Sequence, residues 1–332
     1  MGTEMFWYKK LKADRLDEGQ NLNNAYIMRS GILRSTALTS PQQEQTKETF
    51  GFKWNQLDSY QNDALEKTTA QWLLDRYLGG DPDKLPVYFP DGAKVLDAGC
   101  GSGFSALLLL RPRLKFIKYL GVDISAAVDV AKQRFAAQNE PGEFIQETLT
   151  SLPFEAPVFD VIFSEGVLHH TDNPAQTFDE LAKLLLPGGL FMFYVYKKKG
   201  PIREFTDDYI RGELAPLSDS EAWEALRPLT RLGAALGELD MEVDVPQDID
   251  FLGLKAGKIN LQRLFYWHIF KAYYRQDYSL ETMNHINYDW YRPLNCHRQT
   301  LEDVQAWCRN ASLNIERCDV QDSGFTIVAR KN

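Results

Sequence analysis

The sequence predicts an α/β fold: a doubly wound, mostly parallel seven-stranded sheet whose last strand is antiparallel, with a helical insertion. From residue 94 to residue 197, short apolar runs alternate with helical patterns, which is typical of strands joined by helical crossovers. Near the end of the chain, only the four residues QDSG separate the apolar runs 314–320 and 325–330. Because a helical crossover needs about a dozen residues, these last two strands are expected to be antiparallel.

The composition favours a globular chain over a nucleic-acid-binding, secreted or membrane protein. Of 332 residues, 44% are hydrophobic, which is enough for a sizeable core. The 46 acidic residues outnumber the 37 basic ones, and the resulting net charge of −9 argues against nucleic acid as a partner. No stretch resembles a secretion signal or a membrane span of ~18 apolar residues, so a cytoplasmic location is expected. The four cysteines form no C-x-x-C pair, so neither a metal site nor a disulfide framework is predicted.

Residues 1–62 are predicted to form a polar N-terminal arm, irregular or weakly helical. Four aromatic residues fall close together towards its end: Phe50, Phe52, Trp54 and Tyr60. They either dock the arm onto the core or belong to a lid over a bound ligand, and both interpretations can hold at once. Residues 64–78 then predict a helix that ends at a Gly-Gly pair.

The stretch KVLDAGCGSGFSALLLL, residues 94–110, predicts a strand, a glycine turn and the start of a helix. Gly99, Gly101 and Gly103 stand at every second position, which indicates a sharp turn that lets a ligand approach the backbone. Dinucleotide-binding enzymes have G-x-G-x-x-G, whereas the third glycine comes one residue early here. Asp97 precedes the turn and would repel a pyrophosphate, but it suits a positively charged ligand.

The next strand, residues 119–124, carries Asp123 about 20 residues beyond the glycines. That spacing is the one at which a carboxylate meets ribose hydroxyls in nucleotide-binding folds. The alternative interpretation is a solvated acid at a strand end. Ser125 is expected to cap the following helix.

Residues 143–148, 159–164 and 190–196 predict three further strands, of which the last is apolar throughout and should be buried on both faces. His169 and His170 follow the strand at 159–164. Because the carboxyl end of that strand meets the crevice of the sheet, either histidine is a candidate general base. The alternative is that they order the loop.

The combination of motifs resembles the type-11 branch of class I S-adenosylmethionine-dependent methyltransferases. The matching stretches are D-x-G-x-G-x-G at the glycine turn, then L-P-F, F-D-V-I-F-S, V-L-H-H and L-x-P-G-G, over about residues 93–197 and again at the C-terminus. The resemblance implies a Rossmann-like fold, S-adenosylmethionine as cofactor and methyl transfer, with O- or N-methylation of a small or medium-sized acceptor favoured. Because N-terminal segments form lids over the cofactor in many proteins of this family, the resemblance also implies a lid role for the arm.

The resemblance assigns the cofactor site residue by residue. The implied cofactor contacts are Asp97, Gly99, Cys100, Gly101, Gly103, Asp123, Ile124, Thr148, Leu149 and Ser164. One position departs from the family, which often has Asp after the third strand to contact the adenine amino group. Thr148 stands there in this chain, beside Glu147.

Residues 199–292 interrupt the alternation and predict helices, with Pro228 in the first turn of one of them. Residues 261–274 predict a helix that is apolar almost all round, buried in the core, over a pocket or in a homodimer surface. In the resembled family an insertion here covers the acceptor site. The candidate substrate contacts are Arg203, Tyr266, His268 and Tyr291.

The predicted organisation is an N-terminal arm (1–62), a cofactor-binding core (63–198), a helical substrate cap (199–292) and a C-terminal completion of the core (293–332). Three functions stay open on the residues alone. The first is a methyltransferase for a small-molecule acceptor, and the second is a protein that binds S-adenosylmethionine without catalysis. The third, a nicotinamide-dependent oxidoreductase, is disfavoured by the glycine spacing and by Asp97.

Overall fold

The computed structural model describes residues 6–7, 10–11, 26–56, 60, 63–155 and 157–332. Their centre is a nine-stranded sheet with the order β1-β2-β5-β4-β3-β6-β7-β11-β10. Its strands are β1 (Tyr26–Arg29), β2 (Ile32–Ser35), β3 (Lys94–Ala98), β4 (Lys118–Asp123), β5 (Glu143–Gln146), β6 (Phe159–Glu165), β7 (Leu185–Tyr196), β10 (Leu313–Val320) and β11 (Gly324–Lys331). A separate hairpin contains β8 (Glu242–Val245) and β9 (Gly257–Asn260).

The seven predicted strands are all present, and the α/β prediction is confirmed. Strands β3 to β7 are mutually parallel where they pair, whereas β11 runs antiparallel to both β7 and β10. The sheet is covered on both faces, because successive residues of one strand enter different cores. Val95 lies in one hydrophobic cluster and Leu96 in the other.

The N-terminal arm contributes two strands that the sequence did not reveal. Ser30 and Gly31 have φ of 54° and 66°, the left-handed conformations that a tight hairpin turn requires. The hairpin β1–β2 then joins the sheet through parallel pairing of β2 with β5. The arm was predicted to be irregular because each strand has only four residues and no sustained alternation of apolar and polar side chains.

The helices lie on the two faces of the sheet and in the insertion. They are α1 (Pro41–Asn55), α2 (Asp63–Leu73), α3 (Leu85–Tyr88), α4 (Phe104–Leu109), α5 (Ala127–Ala137), α6 (Pro174–Lys183), α7 (Pro201–Leu214), α8 (Asp219–Glu238), α9 (Leu261–His268), α10 (Leu280–Tyr291) and α11 (Leu301–Asn310). A π-helical turn, Leu74–Leu78, extends α2 to Gly79, whose φ of 69° ends it where the Gly-Gly pair predicted. In the part of the chain that the structure describes, no helix has the length and apolarity to cross a membrane.

Two local predictions about the insertion are wrong. Pro228 lies inside the 20-residue helix α8 rather than in a first turn. The buried face of α8, with Trp223 and Leu226, packs on α10, and this tertiary packing outweighs the local cost of proline.

The helix predicted over residues 261–274 stops at His268. Beyond it, side chains replace helical hydrogen bonds, since Lys271 N donates to Tyr291 Oη at 2.7 Å and Tyr273 N donates to Asn287 Oδ1 at 2.9 Å. The segment that follows α9 is therefore an ordered connection that passes under α10, which no local pattern encodes.

Candidate functional site

A cavity of about 550 Å³ lies at the carboxyl edge of strands β3, β4 and β6. This is the edge where open α/β sheets bind ligands. Its lining includes Phe50, Lys53, Trp54 and Tyr60 of the arm; Asp97, Gly99, Cys100, Gly101, Asp123, Glu165, His170 and Tyr196 of the core; Lys199, Arg203, Tyr266, Lys271, His285, Asp289 and Trp290 of the insertion; and Ser323 near the C-terminus.

The glycine turn forms the floor of the cavity, and its backbone needs glycine for two reasons. Gly99 and Gly101 have φ of 86° and 51°, a region that L side chains rarely adopt. Space is short as well, because a Cβ on Gly101 would lie 2.9 Å from Nε1 of Trp54. Helix α1 thus lays an indole directly on the turn.

Gly99 is expected to be the more sensitive of two left-handed glycines. A Cβ there would lie 2.3 Å from Cγ1 of Val167, whereas a Cβ on Gly92, whose φ is 79°, meets nothing within 4 Å. Gly99→Ala should therefore lower the free energy of unfolding by about 2–4 kcal/mol, and Gly92→Ala by about 1–2 kcal/mol from backbone strain alone. Urea unfolding measures both, and equal losses would show that the contact with Val167 relaxes freely.

Two acids end neighbouring strands beside this turn. Asp97 is 3% exposed and accepts a hydrogen bond from Tyr119 Oη at 2.7 Å. Burial raises the pKa of Asp97 to about 7, and the nearby Asp123 and Glu165 add to the effect. Glu165 accepts hydrogen bonds from Arg76 and Tyr77. A cation placed beside Asp97 would favour its ionised form.

Asp123 joins the glycine turn to the start of α5. Its Oδ2 accepts from Gly101 N at 2.9 Å, and its Oδ1 accepts from Ser125 N at 2.8 Å and Ser125 Oγ at 2.6 Å. Burial raises the pKa of Asp123, and these three donors oppose that effect. A carboxylate accepts about four hydrogen bonds, so Asp123 retains capacity for one more donor in the cavity.

The predicted cofactor residues divide into two groups of five. Five line the cavity together: Asp97, Gly99, Cys100, Gly101 and Asp123. Five lie outside its lining: Gly103, Ile124, Thr148, Leu149 and Ser164. Ser164 is committed to the protein, since its Oγ donates to Ala98 O at 2.9 Å. Thr148 N donates to its neighbour Glu147 at 2.8 Å, and that carboxylate also accepts from Tyr26 of the added hairpin.

The two candidate histidines have different surroundings. His170 lines the cavity, and its Nδ1 lies 2.6 Å from Asn295 O, so Nδ1 carries the proton and Nε2 the lone pair. Burial lowers the pKa of His170 to about 4, which leaves the ring neutral at pH 7. His169 lies outside the lining, fully buried, with its ring stacked 3.7 Å from that of Tyr196.

Among the candidate substrate residues, Arg203 and Tyr266 line the cavity, whereas His268 and Tyr291 do not. Arg203 is held in place by Asp207, 2.7 Å from its Nε, and by the carbonyl of Tyr266. Tyr291 supports the wall from behind by donating to Asp207 at 3.0 Å and accepting from Lys271 N. His268 Nδ1 lies 3.3 Å from Leu252 O.

The lining of the cavity contains an ion pair that the sequence analysis missed. Lys53 of α1 pairs with Asp289 of α10, and Tyr196 Oη donates to the same carboxylate at 2.9 Å. Burial alone would raise the pKa of Asp289, but Lys53, His170 and Lys271 outweigh it and hold that pKa well below its usual range. Asp289 stands between Tyr288 and Trp290 in the sequence, which marks it as unusual, but its partner Lys53 lies 236 residues away.

Comparison with known proteins identifies the family of the central segment. The model of a protein family described as a methyltransferase domain matches residues 96–193, which span the glycine turn through β7. Residues 96–193 form a class I methyltransferase domain of the type-11 branch. The predicted family is thereby confirmed, and S-adenosylmethionine is the cofactor class of this methyltransferase domain.

Two curated relatives match part of the chain. A tRNA U34 carboxymethyltransferase of Hydrogenovibrio crunogenus is 38% identical over 103 residues, 30% of this chain and 30% of that protein. A phthiotriol/phenolphthiotriol dimycocerosates methyltransferase of Mycobacterium ulcerans is 30% identical over 132 residues, 39% of this chain and 47% of that protein. The chain thus matches less than half the length of either relative.

One solved structure aligns with the chain at low identity. The magnesium protoporphyrin IX methyltransferase of Synechocystis, solved with bound S-adenosylmethionine, aligns with a TM-score of 0.46 and 12% identity. The alignment covers 90% of this chain and all of that one.

Proposed function

We propose that this methyltransferase domain binds S-adenosylmethionine on the glycine floor of the cavity and that the chain transfers the methyl group to a small or medium-sized acceptor held against the insertion. One observation supports this most strongly. A single cavity has the turn and the strand-end acids on one wall and the aromatic and cationic side chains of the insertion on the other. Cofactor and acceptor would therefore face each other in one space.

The residues of the floor fit the cofactor by charge and shape. The open backbone at Gly99 and Gly101 accepts the amino-acid tail without Cβ atoms in the way. Asp97 complements an ammonium or a sulfonium group. The remaining acceptor capacity of Asp123 suits a ribose hydroxyl. For a pyrophosphate, the same two acids would be repulsive.

When bound, S-adenosylmethionine supplies a methyl group on a positively charged sulfur, which a nucleophile displaces in line. The chain's own contribution is mainly to position the acceptor and exclude water, effects worth about 7–11 kcal/mol of barrier in well-oriented reactions. His170 can take a proton at Nε2 if the acceptor must lose one. With a pKa of about 4, it is a weak base at pH 7, so positioning dominates.

We assign the arm the role of a lid and residues 199–292 that of a substrate cap. Trp54 lies on the glycine turn and Lys53 pairs with Asp289 of the cap, so helix α1 bridges the two walls. Ligand exchange would then require α1 to move. The core, 63–198, and its completion, 293–332, supply seven of the nine strands of the sheet that supports both, and the hairpin β1–β2 of the arm supplies the other two. Cytoplasmic location and homodimer formation stay predictions.

The relatives named above act, by their names, on a tRNA and on a lipid, so they do not agree on an acceptor. The net charge of −9 and the aromatic walls of this cavity favour a small molecule over a tRNA. O- or N-methylation is favoured, as the family resemblance implies.

Cofactor affinity is expected to rise with pH through the titration of Asp97. Because the pKa of Asp97 is about 7 without ligand, most chains carry the proton at pH 6, and a cationic ligand must displace it. Calorimetry should therefore give an S-adenosylmethionine affinity about tenfold weaker at pH 6 than at pH 8. Asp97→Asn should bind more weakly at pH 8 and lose most of this pH dependence. A dependence that survives in the Asn variant would assign it to another group.

The proposed function is tested by titration and by label transfer. Calorimetry should show binding of one S-adenosylmethionine per chain and no binding of NAD at comparable concentration. Incubation with methyl-labelled cofactor and a library of small acceptors should then label at least one product. Binding of S-adenosylmethionine without methyl transfer to any acceptor, tRNA included, would indicate a cofactor-binding protein without catalysis. Binding of NAD but not of S-adenosylmethionine would contradict the proposal.

A further inference from the structure

Three cationic side chains of the cavity converge on one indole. Lys271 Nζ lies 4.8 Å from the centroid of the Trp290 ring, the Arg203 guanidinium carbon 5.4 Å and Lys199 Nζ 5.9 Å. Tyr196 packs on the same indole, with its ring centroid 4.7 Å from that of Trp290. Lys199, Arg203, Lys271 and Trp290 are called the cationic cluster below.

The protein neutralises this cluster incompletely. Arg203 has Asp207, 2.7 Å from its Nε, whereas Lys199 Nζ donates to the backbone carbonyls of Asp322 and Ser323. Lys271 is 6% exposed, and within the described residues its ammonium has neither an ion pair nor a hydrogen bond. Asp289 is close but already pairs with Lys53. One free cation in a buried site is costly unless a ligand supplies the opposite charge.

The titration behaviour agrees with this geometry. Burial, together with repulsion from Arg203, lowers the pKa of Lys199 to about 7. Burial likewise lowers the pKa of Lys271 to about 8, with Arg203 acting in the same direction and Asp289 opposing. A bound anion would reverse both effects.

The cluster lies on the insertion side, away from the acids of the glycine floor. A chain of contacts lies between them: Trp54 lies on Gly101, Lys53 precedes Trp54 in α1, and Lys53 pairs with Asp289. Tyr196 connects Asp289 to Trp290. The two ends of the cavity therefore have opposite charge, an acidic floor for a cationic ligand and a cationic wall for an anionic one.

Resting on the proposed function, we propose that the acceptor carries a carboxylate, bound by the ammonium of Lys271 within the cationic cluster, and an apolar body that packs on the aromatic lining of the cavity. Arg203 is already oriented by Asp207 and strengthens the positive field, while Lys271 supplies the free donor. The backbone of Lys271 is fixed by Tyr291, so the site is formed before the ligand binds.

The experiment compares charged and neutral probes in the presence of saturating S-adenosylhomocysteine. Benzoate, 4-hydroxybenzoate and 2-naphthoate are titrated by calorimetry beside their primary amides. At least one carboxylate is expected to bind tenfold or more tightly than its amide. If no carboxylate is preferred, the proposal is overturned, whereas failure of S-adenosylhomocysteine itself to bind would contradict the proposed function instead.

The variant Lys271→Met shows whether Lys271 binds the carboxylate of the acceptor or the carboxylate of the cofactor. It should lose the preference for the acid while its affinity for S-adenosylhomocysteine stays within twofold of the parent. The control Lys258→Met, whose side chain is 71% exposed in the β8–β9 hairpin, should keep both properties. A tenfold loss of S-adenosylhomocysteine affinity in Lys271→Met would assign the lysine to the cofactor's carboxylate and overturn the proposal.

A thermal scan keeps this comparison interpretable. Removing an unpaired buried charge is expected to leave the Tm of Lys271→Met equal to or above that of the parent. Lys199→Met is a second variant with a smaller expected loss of the acid preference, about threefold. If both variants keep the full preference, the cationic cluster does not bind the carboxylate.

Discussion

Replacing Lys53 by methionine is expected to lower the free energy of unfolding by about 3–5 kcal/mol, because Asp289 would then stay buried without its ion-pair partner. The side chains of the pair are only 7% and 22% exposed. Tyr196 would still donate to the carboxylate, but a single hydroxyl does not replace an ammonium. Urea unfolding at neutral pH measures the change.

The same helix offers a matched control for this result. Lys47 pairs with Glu44 on α1, with side chains 32% and 45% exposed, so Lys47→Met should change stability by less than about 1 kcal/mol. The double variant Lys53→Met/Asp289→Asn should recover much of the loss, since it removes the unpaired charge. Equal effects of the Lys53 and Lys47 variants would mean that the buried pair does not fix α1.

Replacing Asp123 by alanine is expected to weaken S-adenosylmethionine binding tenfold or more. A hydrogen bond to a charged acceptor contributes about 1.5–3 kcal/mol, which corresponds to a factor of about 10 to 150 in affinity. The substitution also removes the acceptor of Gly101 N, so the glycine turn loses the contact that fixes its conformation. Calorimetric titration with the cofactor measures the loss.

Asp129→Ala is the control, because Asp129 lies six residues further on and pairs with Arg34 rather than facing the cavity. Its variant should bind the cofactor with parental affinity. Should Asp123→Ala also bind normally, the ribose is held elsewhere, and the assignment of the cavity floor must be revised.

Sequence alone predicted those features that are encoded locally. The seven core strands, the glycine turn and Asp123 all follow from patterns within about 30 residues, and the family motifs lie in the same segment. The function of the turn could be predicted because few kinds of binding site combine three alternating glycines with an acid at the end of the preceding strand. For the same reason Asp97, Gly99, Gly101 and Asp123 were named and do lie together in the cavity.

The features that the sequence did not predict depend on contacts between distant segments of the chain. Lys53 and Asp289 are 236 residues apart, and neither has a sequence signal that names the other. Lys271 was hidden because residues 261–274 were expected to be one apolar helix, whereas side-chain hydrogen bonds from α10 end the helix early. His169 and His170 are adjacent in sequence, and only the fold decides that one lines the cavity and the other packs behind Tyr196.

A crystal structure of the protein with S-adenosylhomocysteine tests the central claim most directly. We expect the ribose within hydrogen-bond distance of Asp123, the amino-acid tail along the backbone of Gly99 and Gly101, and the sulfur turned towards Tyr196 and Trp290. The nucleoside bound away from the carboxyl edge of the sheet, or absent from crystals soaked at saturating concentration, would contradict the account.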